Sequence, residues 1–317
     1  MRMGYAARTQ AQLMDTLDVL RSYFEDPDIN EIMINGPDDV FITRLGEDTQ
    51  LRVKLSAASI RAAIHLLAGM VDKEVGEKSN RRMLRARLPG FRVNAILPPV
   101  AVNGPTMCIR RHASRVFTMD EYVAGGTISP QYAKIMQDAI EGRENFLVVG
   151  GTGSGKTTLM NTVLTLIPKK ERLVVIETVH ELQIKAPNAV IIECDDEQGV
   201  TPRQAVNTAM QYAPKRIIVG ELKGAEAYDW MDAANTGHPG SGATIHANSA
   251  KRALGRLENL LLMANMGVPH EPLRVAIAES VQWLFYMKRE GPVRTVSEIC
   301  RVNGYDRKTG EYEVENF

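Results

Sequence analysis

Apolar positions recur at helical spacing from Gln10 to Phe24, where Leu13, Leu17, Leu20 and Phe24 share one face and Asp26-Pro27 ends the pattern. The spacing predicts an amphipathic helix. Short β-rich runs follow at Ile29 to Ile34, Val40 to Thr43 and Leu51 to Leu55, divided by the turn chemistry of Asn35-Gly36-Pro37 and Leu45-Gly46-Glu47. They predict a small antiparallel sheet. Ser56 can cap a helix whose apolar face is Ile60, Ile64, Leu67 and Val71, and strand-like patterns return at Met83 to Leu88, Arg92 to Leu97 and Thr106 to Ile109. Residues 1–111 thus read as a smaller N-terminal α+β domain.

Between Arg110 and Phe117 the periodicity lapses, and Thr118-Met119-Asp120-Glu121 is a capping-box pattern that opens a new element. Residues 112–117 read as a linker, and residues 118–317 as a second domain. There, strand patterns at Asn145 to Val149, Leu173 to Ile176 and Arg216 to Val219 alternate with helices predicted from Lys156, Thr201-Pro202 and Ala225. Strands separated by helices imply right-handed crossovers and a parallel sheet, hence an α/β nucleotide-binding domain.

The 317 residues, 44% hydrophobic and 24% charged, suffice for two domains with cores of their own and exclude a disordered chain. Lys plus Arg number 38 and Asp plus Glu 38, so no global charge draws the chain to nucleic acid, and direct nucleic-acid binding is not expected. Cys108, Cys194 and Cys300 lack the close partner that a zinc knuckle or redox pair needs and read as buried, reduced thiols. The residues up to Gln12 lack the apolar stretch of a signal peptide, and even Ala276 to Met287 contains Glu279 and Gln282. The expectation is a cytoplasmic protein, or one resting on a membrane without entering it.

Gly150-Gly151-Thr152-Gly153-Ser154-Gly155-Lys156-Thr157 satisfies the phosphate-loop pattern, between the apolar strand Phe146 to Val149 and a helix that continues through Thr158. Glycines let successive N–H groups curl around a phosphate while the helix turns its positive end to the same anion. Lys156 would reach the β and γ phosphates of a purine triphosphate, and Thr157 would offer its hydroxyl to magnesium. Hydrolysis also needs acids at strand ends. Glu221 follows the strand Arg216 to Val219 and is the first candidate for general base or metal-linked carboxylate; Glu177 ends Leu173 to Ile176, with Glu181 nearby. His238 and His246 flank a Gly-rich turn and a strand, where a neutral imidazole can report on a γ-phosphate.

Eight arginines (Arg81, Arg82, Arg85, Arg87, Arg92, Arg110, Arg111 and Arg115) fall in a stretch without Asp or Glu. Three readings stay open: nucleic-acid binding, weakened by the scarcity of aromatics; arginines that reach a nucleotide; and a solvated face.

The order of the phosphate loop, the acidic Ile176-Glu177-Thr178-Val179-His180-Glu181-Leu182, the segment Arg216 to Leu222 and the histidine segment Gly237 to Asn248 resembles the secretion ATPase superfamily. The form of the histidine segment is similar to that of conjugal-transfer ATPases of the TrbB type. The resemblance implies a RecA-like P-loop NTPase domain, ATP and magnesium as cofactors, and a homohexameric ring. It further implies docking on inner-membrane secretion-channel proteins at the cytoplasmic face, with peripheral membrane contact. By motif it makes Lys156 and Thr157 the phosphate and magnesium ligands, Glu177 the acidic-box residue, Glu221 the residue that polarises water and His246 the residue near the γ-phosphate. Arg110 and Arg111 resemble the arginines sent to the nucleotide from the N-terminal domain. No aspartate follows the apolar run before Gly220-Glu221, and a four-cysteine zinc loop is missing, which disfavours a type II secretion member. The expected activity is ATP hydrolysis powering type IV secretion or conjugative transfer; a pilus assembly or retraction motor and a nucleic-acid translocase are the alternatives.

Overall fold

The computed structural model describes residues 9, 11–76, 79–88, 90–111, 115–195 and 199–317. The chain divides into two compact units, Met1–Ser114 and Arg115–Phe317. Of the predicted linker, residues 112–114 lie outside the described residues, and Phe117 belongs to the second unit, where its carbonyl accepts from Thr162 Oγ1 at 2.9 Å.

The first unit is built on a six-stranded antiparallel sheet of β1 (Ile29–Gly36), β2 (Asp39–Arg44), β3 (Glu47–Leu51), β4 (Met83–Leu88), β5 (Phe91–Ile96) and β6 (Thr106–Arg111). Its order is β3-β2-β1-β6-β5-β4. Two-residue alternation decides what each strand buries: β4 turns Leu84, Ala86 and Leu88 inward and leaves Met83, Arg85 and Arg87 exposed. The helix Ala57–Met70 covers the inward face with Ile60, Ala63, Ile64 and Leu67, and it starts where Ser56 Oγ accepts from Ser59 N at 3.0 Å. The predicted helix over Gln10 to Phe24 is interrupted by a 3-10 turn, Asp18–Leu20, before a short helix Arg21–Glu25. The tighter i to i+3 bond from Leu20 N to Leu17 O at 2.8 Å re-phases the segment, and Leu13, Leu17, Leu20 and Phe24 are still all buried.

The second unit carries β7 (Phe146–Gly150), β8 (Leu173–Glu177), β9 (Ala189–Glu193), β10 (Arg216–Leu222), β11 (Gly242–His246), β12 (Trp283–Glu290), β13 (Val293–Asp306) and β14 (Glu311–Asn316). The order is β14-β13-β12-β7-β11-β10-β8-β9. From β12 to β9 neighbouring strands are parallel, whereas β13 and β14 are antiparallel, so the sheet is mixed where an all-parallel one was expected. Helices on both faces bury β7 and β8 along their whole length. One face holds Pro130–Glu141 and Lys156–Leu164; the other holds Pro202–Met210, Glu226–Asn235, Ala250–Met263 and His270–Ser280. Thr118 and Glu121 form the predicted capping box.

None of the three cysteines is joined in a disulfide. Cys194 and Cys300 are buried as expected, but Cys108 is only half-buried, because its parity in β6 puts it on the sheet face opposite Met107 and Ile109. Among the described residues no helix is long and apolar enough to cross a membrane.

At the N-terminal edge of the parallel strands sits a buried ion pair. Arg216, fully buried, donates through Nε to Glu171 Oε2 at 2.7 Å and through Nη2 to Glu171 Oε1 at 3.1 Å and the Ile140 carbonyl at 2.8 Å. The Arg216 hydrogen bond holds the Glu171 carboxyl below its ordinary range against the opposing effect of burial. Its stabilisation is complete above the ordinary glutamate range and is lost as pH falls through the depressed value. Removing one partner strands the other, so Arg216→Met is expected to destabilise the second unit by about 3–5 kcal/mol. Denaturant unfolding at pH 7 measures this, and a loss below about 1 kcal/mol would contradict it.

Candidate nucleotide site

The phosphate loop begins where β7 ends. β7 is paired from Phe146 to Gly150 with β11 on one side and β12 on the other. Gly150 is therefore hemmed in: a Cβ there would stand 2.5 Å from Ser154 Oγ and 2.6 Å from the Met287 carbonyl. Gly153 and Gly155, at φ +68° and +98°, take the left-handed backbone that glycine adopts without strain. Gly155 is the N-cap of helix Lys156–Leu164 and supplies no side chain to its first N–H groups, which leaves them to an anion. Thr157 and Thr158 are half-buried in that first turn, Thr152 is exposed, and Ser154 is buried. Gly151, Thr152 and Ser154 border a cavity of about 490 Å³ whose far wall includes Asn248, Lys288 and Arg289.

Lys156 is only 8% exposed. Its ammonium donates to the Gly151 carbonyl at 2.8 Å and lies 3.2 Å from His246 Nδ1. An ammonium has no acceptor, so Nδ1 is the accepting nitrogen and Nε2 carries the proton. Nε2 lies 2.5 Å from Glu221 Oε1. Lys223 Nζ sits 2.6 Å from Glu221 Oε2. Burial first, then the charge on Lys156, pushes the His246 imidazole below its ordinary value, against the pull of Glu221. This favours the neutral ring. β7, β11 and β10 thus bring Lys156, His246 and Glu221 into one chain of contacts.

Glu177 ends β8, across from Gly220. Its Oε2 contacts His180 Nδ1 at 2.8 Å, and its Oε1 accepts from the N–H groups of Glu181 and Leu182, each at 2.9 Å. Burial raises this carboxyl, opposed by those hydrogen bonds. Glu181 contributes its backbone to that turn. His238 stays apart from Lys156 and Glu221: its Nδ1 is 3.1 Å from the Pro214 carbonyl, before the start of β10.

Residues 15–311 match the family described as type II/IV secretion system protein. The chain belongs to that family. The conjugal transfer protein TrbB of Rhizobium radiobacter is 35% identical over 98% of this chain and 94% of its own length. The crystal structure of the VirB11 ATPase from the Brucella suis type IV secretion system, in complex with sulphate, shares 28% identity. It covers 93% of this chain and 96% of that one, with a TM-score of 0.51. The pilus retraction motor PilT with bound ADP shares the fold, with a TM-score of 0.64 at 16% identity over 95% of this chain and 81% of its own. As a member of the secretion ATPase family, the chain is an ATP-hydrolysing enzyme that uses a nucleotide.

In the N-terminal unit of this secretion ATPase the two candidate arginines face opposite ways. Arg111 donates from Nε to the Ile29 carbonyl at 3.0 Å and from Nη2 to those of Phe24 at 2.6 Å and Asp26 at 2.9 Å, with its guanidinium over the Phe91 ring. Arg110 lies on the open face, its side chain 48% exposed, with Nε 3.0 Å from Glu31 Oε1. Arg92 and then Arg87 stand opposite it in register. Like charges directly opposite on neighbouring strands oppose one another, and Glu31, opposite Arg110 in register on β1, supplies one anion to this row.

Sequence reasoning missed two residues that fix the site. Asn161, fully buried, accepts from Gln183 N at 2.7 Å and donates to the Glu181 carbonyl at 3.4 Å, tying the phosphate-loop helix to the turn after Glu177. Thr244 Oγ1 donates to the Gly220 carbonyl at 2.6 Å, fixing β11 to the strand end that carries Glu221. The available signal was a polar side chain at an apolar-face position. In a ¹H–¹⁵N titration the His246 imidazole is expected to ionise below 6.5 and to move upward in Lys156→Ala, since the ammonium is a cause of the depression. An unchanged midpoint would contradict the Lys156–His246 contact.

Proposed function

We propose that the chain hydrolyses Mg-ATP within a homohexameric ring that powers type IV secretion in conjugative transfer, docked on inner-membrane channel proteins at the cytoplasmic face. The contact chain from Gly151 through Lys156 and His246 to Glu221 and Lys223 carries this reading. It holds a cation for the phosphates after β7 and a carboxylate for water at the end of β10, with β11 and its His246 between them, the requirements of phosphoryl transfer to water.

Lys156 gives up the Gly151 carbonyl and His246 Nδ1 for the β and γ phosphates, which the loop amides and the N-terminus of its helix also hold. Glu221 orients the attacking water and takes its proton, and Lys223 and His246 keep the carboxylate in place. Magnesium would arrive with the triphosphate and be held by the Thr157 hydroxyl, phosphate oxygens and water. When bound, magnesium neutralises developing phosphate charge. Of the two arginines, Arg110 is the one whose guanidinium can be given to a phosphate. Arg111 is committed to its own unit by three carbonyls.

Phosphate release from purified protein tests the reading. Lys156→Ala and Glu221→Gln are each expected to lower kcat at least about a hundredfold with the fold intact by circular dichroism. Turnover of Glu221→Gln at the wild-type rate would remove that residue from its role. Gel filtration with Mg-ATP is expected to show a ring, and monomers alone would refute it. Arg110→Ala should lower turnover with little change in melting temperature, while Arg111→Ala should lower the melting temperature.

A further inference from the structure

β12 pairs with β7 from Trp283 opposite Phe146 to Met287 opposite Gly150. It then continues through Lys288, Arg289 and Glu290, beyond the point where β7 becomes the phosphate loop. Gly291, at φ +59°, helps turn the chain, and β13 returns with Arg294 opposite Arg289. This hairpin end stands beside the loop.

Two guanidiniums reach the loop from it. Arg294 Nε donates to the Gly153 carbonyl at 3.2 Å, and its Cδ lies 3.3 Å from where a Cβ on Gly155 would be. Arg289 Nη1 lies 3.1 Å from where a Cβ on Gly153 would be. The turn's own backbone holds both: Arg289 Nε donates to the Gly291 carbonyl at 2.9 Å and Arg294 Nη1 to the Pro292 carbonyl at 3.4 Å. We propose that Arg294, seconded by Arg289, is a positioning residue that holds the phosphate loop in its anion-receiving shape and so sets nucleotide affinity.

The physical reason lies in how a phosphate loop works. Amides that curl toward a phosphate send carbonyls outward, and a guanidinium on an outward carbonyl both fixes the peptide plane and polarises its N–H toward the anion. Burial, and then the charge of Arg289, holds Arg294 below the ordinary arginine value. Two cations this close repel each other, and a polyphosphate in the loop relieves the repulsion. Lys156 leaves its loop carbonyl when the anion arrives; Arg294 keeps its own.

This role rests on the nucleotide reading above, and the test separates the two. Binding of mant-ADP and steady-state phosphate release are measured on the full chain. Arg294→Gln is expected to raise the mant-ADP Kd and the KM for Mg-ATP about tenfold, the effect of one charge-assisted hydrogen bond, with kcat within about twofold and an unchanged melting temperature without nucleotide. Arg294→Lys, which can still donate to the Gly153 carbonyl, recovers most of the affinity. Arg289→Gln weakens binding in the same direction by a smaller factor, and an unchanged Kd removes Arg289 from the proposal. Unchanged affinity in Arg294→Gln overturns the role, as does a loss that accompanies a lowered melting temperature and is not recovered by lysine. A wild-type chain that binds no mant-ADP overturns the nucleotide reading and this role together.

Discussion

Lys156 carries a positive charge into a position 8% exposed, where a charge must be met by polar partners. Those partners include a backbone carbonyl and an imidazole nitrogen, neither of them an anion. Both interactions are weaker than what a phosphate offers, so on the proposed reading the loop exchanges them. The constraint extends outward. Accepting from an ammonium, Nδ1 must be unprotonated, which turns the protonated Nε2 to Glu221, and this works only because His246 stands opposite Gly150 in the register of β11 on β7. A slip of one residue would turn His246 to the other face of the sheet.

On the proposed reading the same sheet separates chemistry from stability along its strands. At the C-terminal ends lie the phosphate loop, Glu177, Glu221 and His246. At the N-terminal ends lie the Arg216–Glu171 pair, the His238 contact to Pro214, and Asn145, whose amide donates to the Ala234 and Ser280 carbonyls and whose Oδ1 accepts from Ser241 N. The two histidines of one short segment fall on opposite sides of this division because β11 runs between them. From Gly242 to His246 its four steps of about 3.3 Å span some 13 Å of strand axis.

How much of this was legible depends on whether the deciding physics is local. The phosphate loop was readable because its glycines answer a backbone demand met within eight residues and its flanks are a buried strand and a helix. Arg110 and Arg111 could not be told apart by the motif that contains both, although the distinguishing signal was present. Arg111 shares its parity in β6 with the buried Met107 and Ile109, while Arg110 shares that of Thr106 and Cys108. That signal becomes decisive only once the helix Ala57–Met70 is known to cover one face. The overhanging hairpin was out of reach for a different reason. Its importance comes from β12 lying next to β7, a long-range pairing that no pattern within residues 283–306 records.

Glu177 and Glu221 show how two carboxylates on adjacent strand ends acquire different work. Both oxygens of Glu177 are engaged, one by two backbone N–H groups and one by His180, and its side chain is 3% exposed. Protonating or moving it would unmake the turn to which Asn161 also holds. Glu221 is 21% exposed, pairs with Lys223 on one oxygen and meets His246 Nε2 at 2.5 Å on the other. On the proposed reading its exposed part faces a water beside the γ-phosphate. Glu177 then serves geometry and Glu221 serves chemistry, and the difference arises from what surrounds each carboxylate, since their positions at the ends of their strands are alike.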